Sequence, residues 1–186
     1  MNIASEVIMS EVILYIAASL DGFIAGNGGD ISWLEKYQGE KEDYGYADFY
    51  STVGASIMGA RTYEQALSLN GGIDKNMPTW VITHRSLKLV SHPKITLYSG
   101  SLPSLIDSIR RKTRKNIWLV GGGQLAQSFF KDELIYRVIL STVPVILGEG
   151  IPLFGNVNKE INLSLMGARS YESGIVQTDY IVNRTR

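Results

Sequence analysis

No cysteine occurs among the 186 residues, which excludes disulfides, thiolate catalysis and every cysteine-ligated zinc or iron–sulfur centre. Histidine is nearly absent as well. His84 and His92 are too few and too isolated to suggest a metal site, and His92-Pro93 reads as a loop. Charge of one sign is lacking: 18 Lys+Arg face 18 Asp+Glu, so no electrostatic pull toward nucleic acid or an acidic membrane is expected. A long apolar run is missing too. Val12 to Leu20, VILYIAASL, is about half a membrane span. It follows Glu6 and Glu11 rather than Lys or Arg and is closed by Asp21-Gly22, which fits a buried strand better than a signal-peptide core. A cytoplasmic protein is expected, with residues 1–10 as a short leader of no assigned role.

What is present is an ordinary core-forming composition, 45% hydrophobic and 19% charged, in a length that suits one domain over 1–186. Strand-like runs are expected at Val12–Ala18, Ala55–Met58, Thr79–Thr83, Ile95–Tyr98, Asn116–Val120, Arg137–Val145 and Ser173–Asn183. Helical patterns fall at Asp43–Val53, Thr62–Leu69, Leu102–Arg114 and Gly123–Phe130. In the third, Leu102, Leu105, Ile106 and Ile109 share a face, and Ser101 before Pro103 suits an N-cap. The basic run Arg110–Lys115 has no interleaved aromatics and reads as a solvated helix end. Strands alternating with helices predict an α/β domain with a largely parallel sheet. The last two strands have no helical pattern between them, so an antiparallel edge is expected there.

Glycine is in surplus, 19 residues against a usual ~7%, and its placement carries information. In Asn116–Gln127, NIWLVGGGQLAQ, a strand runs into three glycines and a helix pattern follows at once. Such a turn lets a ligand approach the main chain, and the N–H groups of the first helical turn favour a phosphate. A tight turn with no ligand fits the same residues. Ser56–Glu64, SIMGARTYE, is a second strand-to-helix junction, with Gly59 for close approach and Arg61 and Thr62 as phosphate donors. Ile82-Thr83-His84-Arg85 is a third. Ligands of open α/β sheets bind beyond the carboxyl ends of the strands, so three such ends together favour a dinucleotide.

These segments carry a family resemblance. YIAASLDGFIA (Tyr15–Ala25), GGDISWL (Gly28–Leu34), SIMGARTYE and VGGGQLAQSF resemble, in order, motifs of the dihydrofolate reductase superfamily. VPVILGEGIPLF (Val143–Phe154) resembles its bacterial branch related to the reductase (C-terminal) domain of the riboflavin-biosynthesis deaminase/reductase. The resemblance implies a three-layer α/β/α domain around a mainly parallel, eight-stranded mixed sheet with an antiparallel C-terminal edge, binding NADPH. By position it puts Gly121, Gly122, Gly123, Gln124 and Leu125 beside the pyrophosphate and nicotinamide, with Thr62 at the pyrophosphate. Arg85, with Thr83 and His84, would approach the 2′-phosphate, and Ala17 the nicotinamide amide. The family usually has Arg directly after the glycine of the second strand; here Ala60 stands there and Arg61 follows. Family habit implies a homodimer.

For the chemistry, hydride transfer needs a held electrophilic carbon and often a proton donor. Candidate acids are Asp21, Asp43 and Asp48, with other readings open for two of them: Asp21-Gly22 as a turn, and Asp43 as a helix cap. Asp48 is expected to face inward. The resemblance puts Gly148, Glu149 and Gly150 close to the cofactor or the substrate, and Trp33 is expected to cover the substrate ring, although a Trp on a Gly-rich loop also suits packing at a domain edge. Tyr44, Tyr46, Phe49 and Tyr50 are expected mostly as core or dimer contacts, with one face free to line the substrate pocket. The expected activity is NADPH-dependent reduction of a small nitrogen heterocycle of the 5-amino-6-(5-phosphoribosylamino)uracil type. The alternatives are dihydrofolate reduction, marked by a first-helix carboxylate aimed into the pocket, and a nucleotide-binding protein with little turnover.

Overall fold

The structure is a computed structural model that describes residues 10–37, 42–69, 72–87, 92–155 and 157–184; all of the expected leader except Ser10 lies outside them. In chain order the elements begin with β1 (Val12–Ser19), β2 (Phe23–Ala25), α1 (Tyr46–Ser51), β3 (Val53–Gly59) and α2 (Ala60–Ser68). They continue with β4 (Thr79–Ile82), β5 (Ile95–Tyr98), α3 (Leu102–Arg110), β6 (Asn116–Gly121) and α4 (Gly123–Lys131). The chain closes with β7 (Arg137–Val143), β8 (Ile151–Pro152), β9 (Leu163–Ser170) and β10 (Val176–Val182).

An eight-stranded sheet runs in the order β5-β4-β3-β6-β1-β7-β10-β9. Its first six strands pair in parallel, and β10 and β9 add an antiparallel edge. Alternation along β1 separates the layers. Val12 and Leu14 join a core with Leu105, Ile106 and Ile109 of α3 and Ala126, Phe129 and Phe130 of α4. Ile13 and Tyr15 turn to the other face and meet Phe49 of α1, whose ring stacks on Tyr15 at 4.3 Å. Tyr63 of α2 fills that same side with Met58 and Val81. The fold is the expected three-layer α/β/α arrangement with a mainly parallel mixed sheet.

The differences from expectation have local causes. Helix α1 is only Tyr46–Ser51, because Asp43 stops short of the helix and accepts hydrogen bonds from the N–H groups of Gly45 and Ala47, while Val53 already belongs to β3. Ser101 stands at the start of α3, but its hydroxyl bonds Ser104 rather than capping a backbone N–H. The basic run is not merely solvated: Arg110 Nε donates to the Ser10 carbonyl, Lys112 lies over the Trp80 ring and Lys115 bonds the Ser51 carbonyl. Strand β9 was not expected at all. All its residues are exposed, so no apolar alternation marks it. The short strands β2 and β8 form a separate two-stranded ribbon.

Candidate functional site

Parallel pairing brings the carboxyl ends of β6, β3 and β4 into a row, since these strands are neighbours in the sheet. Two helices start from that row. Gly59 leads into α2 and Gly122 into α4, and neither junction has a side-chain cap. No N-cap side chain occupies either helix start, and both helix dipoles point at the row. Gly122 has φ +85°, and a Cβ built there would stand 3.3 Å from the Thr62 hydroxyl. The missing side chain thus leaves a small cradle between the glycine turn and α2. Arg61 and Gln124 are exposed beside it and Leu125 is buried beneath. The third strand end opens into a pocket of about 290 Å³ lined by Thr83, His84, Arg85, Ser86, Tyr98 and Ser99 among others. The Thr83 hydroxyl accepts the Arg85 backbone N–H at 3.0 Å. The Arg85 guanidinium rests on Glu64 of α2 at 3.0 Å, both side chains being largely exposed.

Two of the expected ligand glycines are explained by contacts within the chain. A Cβ at Gly123 would lie 2.4 Å from the Pro152 carbonyl oxygen, and one at Gly150 would lie 2.1 Å from that of Ala25. The β2–β8 ribbon presses that closely on the start of α4. Gly148, by contrast, has nothing within 4 Å of a Cβ and lies open beside exposed Glu149.

Where β1 and β7 finish, the surroundings are built from side chains. Ala17 faces the layer of α1, packed among Val143, Tyr171, Ile175, Trp33 and Tyr44. Below them Gln177 of β10 donates through Nε2 to the Tyr44 carbonyl and the Ser141 hydroxyl, both at 3.0 Å. The Tyr15 hydroxyl donates to the same Tyr44 carbonyl at 3.0 Å, and burial pushes its pKa up. Tyr44 itself has φ +55°. Arg169 of β9 lies over the Tyr171 ring, 4.8 Å from its centre. Sequence reasoning missed Gln177, Ser141 and Arg169, since nothing in their surroundings marks them. Trp33 belongs to the 3-10 turn Ser32–Tyr37, and its indole nitrogen is buried with no hydrogen-bond partner among the described residues. A buried donor left unpaired costs about 1–3 kcal/mol.

The three candidate acids do not converge. Asp21 accepts hydrogen bonds from the Ser19 hydroxyl at 2.6 Å and from the N–H groups of Gly148 and Leu147 at 2.7 and 3.1 Å. The Ser19 hydroxyl above all, then those N–H groups, hold its carboxyl below the usual range. Asp43 is lowered by the N–H groups of Ala47 and Gly45 that it caps. Asp48 is exposed on α1 while its neighbour Phe49 is buried, so the inward-facing carboxylate expected there is not found. No group of three His, Asp or Glu able to hold a metal occurs among the described residues. No helix among them is long and apolar enough to cross a membrane.

The chain matches the RibD C-terminal domain over residues 10–177. It belongs to that family. Membership places this RibD-type domain with the riboflavin-biosynthesis-type reductases and implies oxidoreductase chemistry. It is 34% identical to the uncharacterized protein YwjB of Bacillus subtilis over 171 residues, covering 92% of this chain and 97% of that one. A crystal structure of a Shewanella sp. PV-4 protein assigned by name to riboflavin biosynthesis superposes with a TM-score of 0.85 at 26% identity, over 94% of this chain and 99% of that one. The Thermotoga maritima diaminohydroxyphosphoribosylaminopyrimidine deaminase/5-amino-6-(5-phosphoribosylamino)uracil reductase shares the fold, with a TM-score of 0.68 at 16% identity over 94% of this chain and 57% of that one.

Proposed function

We propose that this RibD-type domain, taken as one unit over 1–186, is an NADPH-dependent reductase of a small nitrogen heterocycle, of the type that reduces 5-amino-6-(5-phosphoribosylamino)uracil. The reading is carried by the row of strand ends β6, β3 and β4, where two uncapped helix starts flank the Gly122–Thr62 cradle and lead to the Arg85 pocket. These residues fit a dinucleotide. The first-turn N–H groups of α2 and α4 and the Thr62 hydroxyl would hold the pyrophosphate, with Gly59, Arg61, Gly121, Gly123, Gln124 and Leu125 around it. Arg85, Thr83 and His84 would take the 2′-phosphate. Ala17 would meet the nicotinamide amide. When bound, NADPH supplies the hydride. Gly148, Glu149, Gly150 and Trp33 would border the substrate.

Asp21 and Asp43 hold backbone N–H groups and keep their protons poorly, so they suit positioning better than proton donation. With Asp48 exposed as well, no first-helix carboxylate points into the pocket, which favours the aminouracil type of substrate over dihydrofolate.

Titration with NADPH, NADP⁺ and NADH, followed by Trp quenching, tests the cofactor. NADPH is expected to bind about tenfold or more tighter than NADH, the increment of a charge-assisted phosphate contact. Binding of none of the three sinks the reading. NADPH oxidation with the ribosylaminouracil, set against dihydrofolate, tests the substrate. The same reading takes the protein as a cytoplasmic homodimer without nucleic-acid or membrane partners, the uncovered strand β9 offering a surface to a second copy. Sedimentation at micromolar concentration then gives twice the 20.6 kDa of the chain.

A further inference from the structure

We infer that the indole N–H of Trp33 is a recognition donor for the substrate, read by an acceptor on the edge of a flat, neutral heterocycle such as a ring carbonyl. The inference rests on the reductase reading and names which chemical group the substrate must present.

Trp33 Nε1 is buried and has no hydrogen-bond partner among the described residues. Buried donors in folded proteins are paired as a rule, so an orphan calls for a partner beyond the described residues, and a bound ligand supplies one. The contrast with Trp118 is direct, since its indole N–H reaches the Tyr15 carbonyl at 3.1 Å. Two acceptors close to the cluster are already engaged. The Tyr44 carbonyl is held by Tyr15 and Gln177, and Gln177 Oε1 is approached by the Tyr171 hydroxyl. The chain leading to Trp33 is tied down on its N-terminal side. Asp30 accepts from both the backbone N–H and the hydroxyl of Ser32, and Gln65 of α2 donates to the Gly29 carbonyl at 2.7 Å. The ring is thus held in the cluster that contains Ala17, where the nicotinamide amide is proposed to lie. The surrounding rings of Tyr37, Tyr44 and Tyr171 suit a flat ligand, and Asp43 is committed to its cap, so nothing there calls for a cationic ring. Nε1 has no exposed surface, and the ligand's edge must take the place of neighbouring atoms to reach it.

The test uses the full chain saturated with NADP⁺, which cannot deliver hydride, and 5-amino-6-(5-phosphoribosylamino)uracil as the probe. Indole ¹⁵N–¹H spectra give separate signals for Trp33, Trp80 and Trp118, and Trp33→Phe identifies the first by its loss. On adding probe the Trp33 proton is expected to move downfield while that of Trp118 stays. Trp33→Phe is expected to bind the probe about tenfold more weakly, the loss of one hydrogen bond, with unchanged NADPH affinity and melting temperature. A Trp33 signal that stays in place at the highest probe concentration overturns the inference. So does probe affinity in Trp33→Phe within about twofold of wild type. NADPH titration keeps the two readings apart. A protein that binds NADPH but leaves Trp33 silent refutes this inference alone, whereas loss of all cofactor binding in the wild type refutes the reductase reading.

Discussion

The two ends of the candidate site are made of different material. At β6, β3 and β4 the chain offers main chain: helix starts, a glycine turn and one hydroxyl, with few side chains in the way. At β1 and β7 it offers side chains: Tyr46 and Phe49 packed around Tyr15 and Trp118, a glutamine hub and an indole with no acceptor among the described residues. A main-chain surface recognises what any nucleotide carries, phosphate and ribose. A side-chain surface recognises a particular ring. On the proposed reading, the common cofactor and the specific substrate are matched to the two kinds of surface.

The comparison breaks most severely at Gly122. A valine there puts a branched Cβ toward the Thr62 hydroxyl at a φ of +85°. NADPH affinity is expected to fall at least about a hundredfold, about 2.7 kcal/mol, with the circular dichroism spectrum retained; unchanged affinity means that the cradle holds nothing. Gln177→Leu attacks the other end. It leaves the Ser141 hydroxyl without its partner and removes one of two donors from the Tyr44 carbonyl. Urea unfolding is expected to register a loss of about 1–3 kcal/mol and the substrate KM to rise, while NADPH affinity holds. If both ligands weaken together, the two ends are not separate.

Smallest is the effect of pH on the clip at Asp21. Hydrogen bonds from Ser19, Gly148 and Leu147 depress its folded pKa. Its contribution is therefore present above the unfolded value of about 3.9 and is lost as pH falls through the folded value. Melting curves of wild type and Asp21→Asn should differ near neutrality and converge in acid below about pH 4. A difference that persists undiminished into acid means that the carboxylate's charge does not matter there.

Legibility in the sequence followed the same division. The strands with buried faces, β1, β3, β4, β6 and β7, announce themselves as apolar runs because burial selects for them. Gly121–Gly123 stood out because a main-chain site is local, written in consecutive residues. Gln177 and Ser141 could not be read, since their partnership with Tyr15 and Tyr44 joins residues up to 162 positions apart. Strand β9 was invisible for the opposite reason: with no buried face it has no pattern to show. Asp43 was legible as a cap and as an acid alike, and only the geometry of its two hydrogen bonds separates these roles.

Thr62 and Gln65, three residues apart on α2, share one side of the helix. The first stands against the glycine turn; the second grips the carbonyl of Gly29 in the loop that leads to Trp33. Helix α2 thus runs from the glycine turn to that loop, beside the β2–β8 ribbon that also leads from one to the other. Any ligand whose affinity changes with the position of this helix does work on the loop at its far side. By thermodynamic reciprocity, whatever settles on the loop returns the same work to the glycine turn. One turn of helix thus gives the two ligands of the proposed reaction a shared neighbour.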